Sequence, residues 1–346
     1  MKIVVLAGGL SPERDVSLSS GSLIANALME SGHEVLLLDV YEGIKAGEGD
    51  YAGLFKNLAQ GKKYRYEIPE SEPDLDAIRR RNNGQTSLIG ANVLGLCGFA
   101  DVVFIALHGA MGENGQLQAT LDNFGIRYTG TGYIGSLLAM DKDLTKRLLR
   151  QAGIPTADWA VYDLHQNISR VAEEIGFPCV VKPCSCGSSV GVSMADTMEE
   201  LEAAVGCAEK YEAKILIEKK IAGREFSVGV LDGAALPVIE IIPLTGFYDY
   251  KNKYQSGLTK EVCPAALTRE QTKEVQRRAL DVHETLRLGG YSRVDFILDG
   301  AGEFICLEAN TLPGMTPASL IPQEAQQLGL SYPELCNKIV LLPFEK

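Results

Sequence analysis

Between Phe304 and Leu320 the chain reads FICLEANTLPGMTPASL, and there Glu308 and Asn310 stand two residues apart in a run that begins as a buried strand. Residues two apart on a strand point to the same face. A strand made only for packing alternates apolar and polar residues to its end, whereas this one places two oxygen ligands together and then breaks at Pro313-Gly314. Just upstream, SRVDFILDGAGEF reads as a strand, a Gly-rich turn and the start of the next strand. With Gly300 to Glu303 as the loop, Asp299 closes the hairpin against Phe304 and Asp295 falls opposite Glu308. Arg293, Asp295, Glu308 and Asn310 then share one face, and Val294, Phe296, Leu298, Ile305, Leu307 and Ala309 make the apolar other. Facing carboxylates repel unless positive charge lies between them. A hard divalent cation such as Mg2+, its remaining positions filled by substrate phosphates, meets that need. An ion-pair cluster around Arg293 on a solvated sheet face meets it too.

Other segments carry related chemistry. VKPCSCGSSVGV ends a strand at Lys182-Pro183 and enters a Gly-Ser loop, whose small residues leave N–H groups open to phosphate oxygens while Lys182 adds charge. It is not a P-loop, since G-x-x-x-x-G-K-[ST] is absent from the chain. ILIEKKIAGREF places Glu218 at the end of an apolar strand with Glu225 beyond it, positions that suit an adenine amino group and a ribose, or an ordinary solvated strand end. GGLSPERDVSLSSG follows the first strand, and its Gly-Gly turn and helix start suit an anion. Glu13 there reads first as a residue complementing the helix dipole. GxGxxG is missing from this first strand-to-helix turn, so a nicotinamide-cofactor site there finds little support even though Asp39 ends the second strand. ALHGAMGENGQ puts His108 where a strand meets a Gly-rich loop, the end of a parallel sheet where ligands bind.

The elements that must position these residues follow from periodicity. Residues 3–7 read as a strand, 15–31 as an amphipathic helix and HEVLLLDV as a second strand, a βαβ start with a parallel sheet. Residues 41–90 read as a looser insertion. ADVVFIALHG returns to strand, GQLQATLDNFG is helix, and IRYTGTG closes a first domain near residue 131. A helix in DKDLTKRLLRQAG, a strand near 158–162, another helix, the strand PCVVKP, a helix at 197–211 and the strand KILIEKKI make a smaller α+β unit. From Gly223 strands dominate, joined by the polar loop TGFYDYKNKYQSGLTKEVCPA, with a long helix near 268–288 and a helical end.

The chain has 346 residues, 46% hydrophobic and 23% charged, enough for two or three packed domains. A net charge of -12 without blocks of like charge argues against a general nucleic-acid or anionic-membrane binder. No apolar run approaches the ~20 residues that span a bilayer, and MKIVVLAGG is too short for a secretory core. A cytoplasmic protein with no membrane or nucleic-acid partner is expected. Eight cysteines form no C-x-x-C pair and read as reduced, mostly buried thiols.

Taken together and in order, SPERDVSLSSG, ALHGAMGENGQLQ, MDK, VKPCSCGSSVG, IEKKIAGREF, FYDYKNKY, CPA, RVDFILD and LEANTLPGMTPASL resemble the ATP-grasp superfamily and, within it, the D-alanine–D-alanine ligases. The resemblance covers nearly the whole chain. It implies a three-domain α/β and α+β fold: an N-terminal parallel-sheet domain (1–131), a central ATP-grasp domain (132–222) and a C-terminal ATP-grasp domain (223–346), with ATP held between the second and third. Lys142, Lys182, Glu218, Ile221, Glu225 and Lys253 match the family's nucleotide contacts. Asp295, Glu308 and Asn310 match its ligands for two Mg2+ ions, or Mn2+ in their place. Arg293 and the backbone N–H of Gly314 match the groups that hold an oxyanion, Ser319 and Leu320 the contacts to the second D-alanine, and Glu13 and His108 the first-alanine site. Glu13, Ser188 and Tyr254 match a hydrogen-bonded triad that closes the loop carrying YDYKNKY. The activity implied is ATP-dependent joining of two D-alanines through an acyl phosphate, for peptidoglycan synthesis, by a homodimer. A ligase of the same fold taking D-serine or D-lactate second, or a non-catalytic nucleotide-binding regulator, are the competing readings. Tyr254 favours an amine nucleophile, since relatives making D-alanyl-D-lactate tend to differ there, and the complete metal set argues against a regulator. The CSC ahead of Gly187 lies where the family varies.

Overall fold

The structure is a computed structural model that describes residues 1–45, 49–59, 61, 63–69, 71–163, 166–187, 190–243 and 259–345. Three sheets organise the described residues. The first is parallel, in the order β2-β1-β3, from β1 (Lys2–Ala7), β2 (Glu34–Asp39) and β3 (Val102–Ile105). β1 and β3 are almost wholly apolar and buried, as strands covered on both faces must be. The helix Arg14–Glu30 links β1 to β2; its Ile24, Ala25, Ala27 and Leu28 pack on the sheet, while Arg14, Asp15, Ser17 and Ser20 are buried polar residues at its N-terminal end. The expected insertion at 41–90 contains the helices Tyr51–Leu58 and Leu75–Arg81, both with Asp N-caps whose side chains accept a backbone N–H.

The second sheet is antiparallel, in the order β4-β7-β5-β6, from β4 (Trp159–Asp163), β5 (Cys179–Pro183), β6 (Ser193–Ala195) and β7 (Lys214–Lys219). The helices Ile168–Ile175 and Met198–Ala208 cover one face with Val171, Ile175, Leu201 and Val205. The other face is left for a ligand.

The third sheet runs β11-β10-β8-β12-β13, with β8 (Gly223–Leu231), β9 (Ala234–Ala235), β10 (Ile239–Pro243), β11 (Thr259–Val262), β12 (Tyr291–Asp299) and β13 (Phe304–Asn310); β9 pairs with β8. The helix Arg269–Thr285, started by a reciprocal capping box between Thr268 and Gln271, lays Val275, Ala279 and Val282 on its apolar face. Phe226, Phe296 and Phe304 meet there edge to face, 5.8 and 6.4 Å between centroids. The helices Tyr133–Met140 and Lys142–Gln151 contribute Ala139 and Leu149 to this same core. The last helix, Tyr332–Leu341, returns to the first sheet's core.

The hairpin of β12 and β13 differs from expectation at its tip. Asp295 does pair with Glu308 and Arg293 with Asn310, but Leu298, not Asp299, pairs with Phe304. A β-bulge at Leu307 reconciles the two registers. Because one extra residue reverses the facing of everything beyond it, Phe304 and Cys306 enter the core in place of Ile305 and Leu307. Among the described residues no helix is long and apolar enough to cross a membrane. All eight cysteines are free.

Candidate active site

Two cavities meet at the open face of the third sheet. The larger, about 720 Å³, lies between the second and third sheets and is lined by Lys182, Glu218, Ile221, Glu225, Asp295 and Leu307 among others. That volume falls within the usual range for ligand pockets, about 300–1,000 Å³. The smaller lies against the first sheet and is lined by Glu13, His108, Arg293, Asn310 and Gly314. Lys142 and Glu308 line both.

In the larger cavity the walls are Val180 and Met194 on one side and Ile241, Ile297 and Leu307 on the other, an apolar slot for a flat ring. Its polar floor is a buried triplet. Glu218 Oε1 lies 2.6 Å from Lys182 Nζ and Oε2 lies 2.7 Å from Lys146 Nζ. Burial alone would protonate Glu218, but the two lysines outweigh it and hold the carboxyl below its ordinary range. Burial likewise pulls Lys182 down, and Glu218 more than reverses it. Lys182 is therefore a fixed cation facing the cavity. Lys142 Nζ donates to the Cys186 carbonyl at 2.6 Å; burial lowers its pKa while Glu308 works against that.

The hairpin face is tied together by hydrogen bonds that converge on Asp295. Arg293 grips Asp295 with both prongs, Nε to Oδ1 at 2.9 Å and its terminal nitrogen to Oδ2 at 2.7 Å. Ser227 donates to Asp295 Oδ1 at 2.7 Å and Asn310 Nδ2 to Oδ2 at 3.0 Å. The donor set of Asp295, Glu308 and the Asn310 amide oxygen is all hard oxygen, with Asp295 and Glu308 on the larger cavity and Glu308 and Asn310 on the smaller, which fits Mg2+ or Mn2+. Among the described residues no three His, Cys, Asp or Glu side chains cage a metal by themselves. A cation here would share its coordination with a phosphate ligand, as Mg2+ commonly does.

In the smaller cavity Glu13, at the N-cap of the helix Arg14–Glu30, makes no capping bond with its side chain and faces the cavity instead. Its Oε2 presses on Gly109, whose φ of +78° and lack of a Cβ both matter: an added Cβ would lie 2.8 Å from that oxygen. Gly109 N–H donates to Glu113 Oε2 at 2.8 Å on its other side. Burial, with help from Glu13 and Glu308, pushes the Glu113 carboxyl up to about 8. Burial lowers the His108 pKa, and Glu13 opposes it. His108 lies 3.4 Å from Ser20 Oγ.

Thus Glu13, His108, Lys142, Lys182, Glu218, Ile221, Glu225, Arg293, Asp295, Glu308, Asn310 and Gly314 all line one cavity or the other. Ser319 sits against Gly314, its hydroxyl 2.9 Å from Thr316 Oγ1. Leu320 lines neither cavity; it packs with Ile239 and Ile241. Ser188, Lys253 and Tyr254 lie outside the described residues. Sequence reasoning passed over Lys146, Glu113, Ser227 and Glu324. For Lys146 a signal existed: it is one helical turn beyond Lys142, hence on the same helix face.

The family models resolve what this arrangement belongs to. Residues 2–131 match the D-ala D-ala ligase N-terminus and residues 148–341 the D-ala D-ala ligase C-terminus. The chain belongs to the D-alanine–D-alanine ligase family. A D-alanine–D-alanine ligase of Pediococcus pentosaceus is 42% identical over 346 residues, covering 99% of this chain and 97% of that protein. One from Desulfotalea psychrophila is 45% identical over 355 residues, covering 100% and 96%. Among solved structures, the Bacillus anthracis D-alanine–D-alanine ligase complexed with ATP superposes with a TM-score of 0.75 at 27% identity, covering 100% of this chain and 98% of that one. The VanG D-Ala:D-Ser ligase of Enterococcus faecalis gives 0.74 at 26%, covering 99% of each. The fold is therefore that of the ATP-grasp ligases.

Proposed function

We propose that this chain joins two D-alanine molecules into D-alanyl-D-alanine, driven by cleavage of ATP to ADP and phosphate. The observation that carries this reading is the shared wall of the two cavities: Lys142 and Glu308 stand where a nucleotide's terminal phosphate and an amino acid's carboxylate would meet.

ATP occupies the larger cavity, its base in the apolar slot near Ile221, Glu218 and Glu225 and its phosphates toward Lys182 and Lys142. Glu218 acts here through Lys182, which it holds in place. Lys253 is assigned to the same phosphates from outside the described residues. Asp295, Glu308 and Asn310 would hold two Mg2+ ions. Bound there, they neutralise phosphate charge and polarise the transferred group.

The first D-alanine sits in the smaller cavity with its ammonium toward Glu13 and His108 beside it. Its carboxylate attacks the terminal phosphate, giving a D-alanyl phosphate and ADP. The amine of the second D-alanine, whose carboxylate is placed by Ser319 and Leu320, attacks the acyl carbon; the N–C bond forms, inorganic phosphate leaves, and the amine's proton is lost. Arg293 and the Gly314 N–H hold the oxyanion of that second step. Glu13, Ser188 and Tyr254 close the loop over the site. The units 1–131, 132–222 and 223–346 divide the task into first-substrate handling, nucleotide gripping, and metal and second-substrate placement. The assembly is a homodimer working in the cytoplasm and feeding peptidoglycan synthesis.

The test is isotopic. With D-alanine labelled by 18O in its carboxyl group, one label should appear in the released phosphate. Phosphate released with no label removes the acyl-phosphate route.

A further inference from the structure

The helix Leu320–Gln327 buries Leu320, Ile321 and Ala325, and on the same buried surface it carries a glutamate of 0% exposure, Glu324. Glu324 Oε2 accepts a hydrogen bond from the Gly229 N–H at 2.8 Å, and Oε1 has no hydrogen-bond partner among the described residues. Leaving a buried polar atom unsatisfied costs on the order of 1–3 kcal/mol, so packing gives no reason for a carboxyl here. The sheet is nevertheless shaped to admit it. A Cβ on Gly229 would lie 2.3 Å from Glu324 Oε2, so at this rung the side chain of β8 is missing and the carboxyl takes its room.

Gly229 is the cross-strand partner of Arg293. Directly opposed residues share a face, so Glu324 reaches the reacting face of the sheet at the rung that carries the Arg293 guanidinium. That guanidinium is held by Asp295. If Asp295 turns its oxygens to a cation, Arg293 gives up that bidentate pair and is repelled by the new charge. Glu324 then offers an unsatisfied oxygen at the Gly229 rung opposite Arg293. Burial holds its carboxyl well above the ordinary range, while the Gly229 N–H and the Arg293 charge favour its ionised form.

We propose that Glu324 is a positioning residue, the second carboxyl group to hold Arg293 when Asp295 is committed to a cation, and that it thereby sets Arg293 for the peptide-forming step. This rests on the reading of Arg293 and Asp295 given above. Its consequence is selective: acyl-phosphate formation needs nucleotide, cation and first substrate, whereas the attack of the second amine needs Arg293 in place.

Glu324→Gln keeps the size of the side chain and its acceptor for Gly229 but cannot carry charge. Positional isotope exchange in ATP with D-alanine, which reports acyl-phosphate formation, should stay within about twofold of wild type. Dipeptide formation should fall by about 10- to 100-fold, the worth of one charge-assisted hydrogen bond. Glu324→Asp should recover part of that loss. By thermal unfolding, Glu324→Gln without nucleotide should melt at or above wild type, yet gain less than wild type from Mg2+ and ADP. Dipeptide formation at the wild-type rate overturns the proposal. So does a lowered melting point with equal loss of both half-reactions and an unaltered gain from Mg2+ and ADP, the signature of a merely structural glutamate. If wild type itself shows neither exchange nor dipeptide, the ligase reading fails instead, and the melting comparison still tests Glu324.

Discussion

Asp295 and Glu308 face one another across β12 and β13 although the hairpin joining those strands closes one residue out of step with them. The extra residue is Leu307, and it gives the hairpin two jobs. Beyond the bulge, Phe304 and Cys306 fill the core; before it, the two carboxylates stay aligned over the larger cavity. Local backbone irregularity here serves the site as well as the packing.

Replacing Glu308 with Gln removes one of those carboxylates at a half-buried position. Turnover with Mg2+ should drop on the order of 100-fold or more. The melting point should stay within about 2 °C, because Gln keeps the size of the side chain at a half-buried position. Steady-state ADP release and thermal unfolding check both. Unchanged turnover removes Glu308 from the metal set.

Lys182→Ala takes away the cation that Glu218 presents to the larger cavity. The apparent ATP Michaelis constant should rise on the order of tenfold or more, with those for D-alanine unmoved. A change confined to the D-alanine constants would place Lys182 in the wrong cavity.

Glu218→Ala strands two lysines. Lys146 is 1% exposed and Glu218 4%, so the variant leaves uncompensated charge in the interior. Unfolding by urea should show a loss of about 3–5 kcal/mol. A midpoint equal to wild type would mean the triplet carries no structural weight.

Glu113 gives stability a pH dependence whose sign is fixed. Its folded carboxyl titrates at about 8, pushed up first by burial, whereas an unfolded glutamate titrates near ~4.3. Between those values the folded protein holds the extra proton, so this group's contribution falls as pH rises and levels off above about 8. Glu113→Gln should therefore lose less stability than wild type between about pH 5.5 and about pH 8. Urea midpoints at the two values decide it, and equal pH slopes would contradict the assignment.

How far the sequence carried depended on the kind of signal. Asp295, Glu308 and Asn310 were legible because strand side chains alternate and the polar pair broke the pattern. The tip of the same hairpin was not, since a bulge at Leu307 leaves no compositional mark and reverses Ile305 and Leu307. Glu113 and Glu324 were invisible for another reason. A glutamate on a short helix reads as solvated charge, and burial comes from what packs over it, here the first sheet's loops and β8. Glu13 was ambiguous because a carboxylate at a helix start complements the dipole and can equally face a cavity, as it does here. Lys182 was read as a cation beside a phosphate-binding loop and Glu218 as a ligand contact, and their buried ion pair, a contact between neighbouring strands, was not legible from either segment alone. The helix Tyr332–Leu341 joining the first sheet's core is a long-range contact that periodicity does not contain.

The central claim is the reaction itself, and product mass tests it most directly. Purified protein incubated with ATP, Mg2+ and D-alanine, alone and with equimolar D-serine or D-lactate, should yield D-alanyl-D-alanine as the dominant product, with matching ADP and phosphate. A dominant mixed dipeptide or depsipeptide would overturn the second substrate. Folded protein that makes no product and consumes no ATP would contradict the account as a whole.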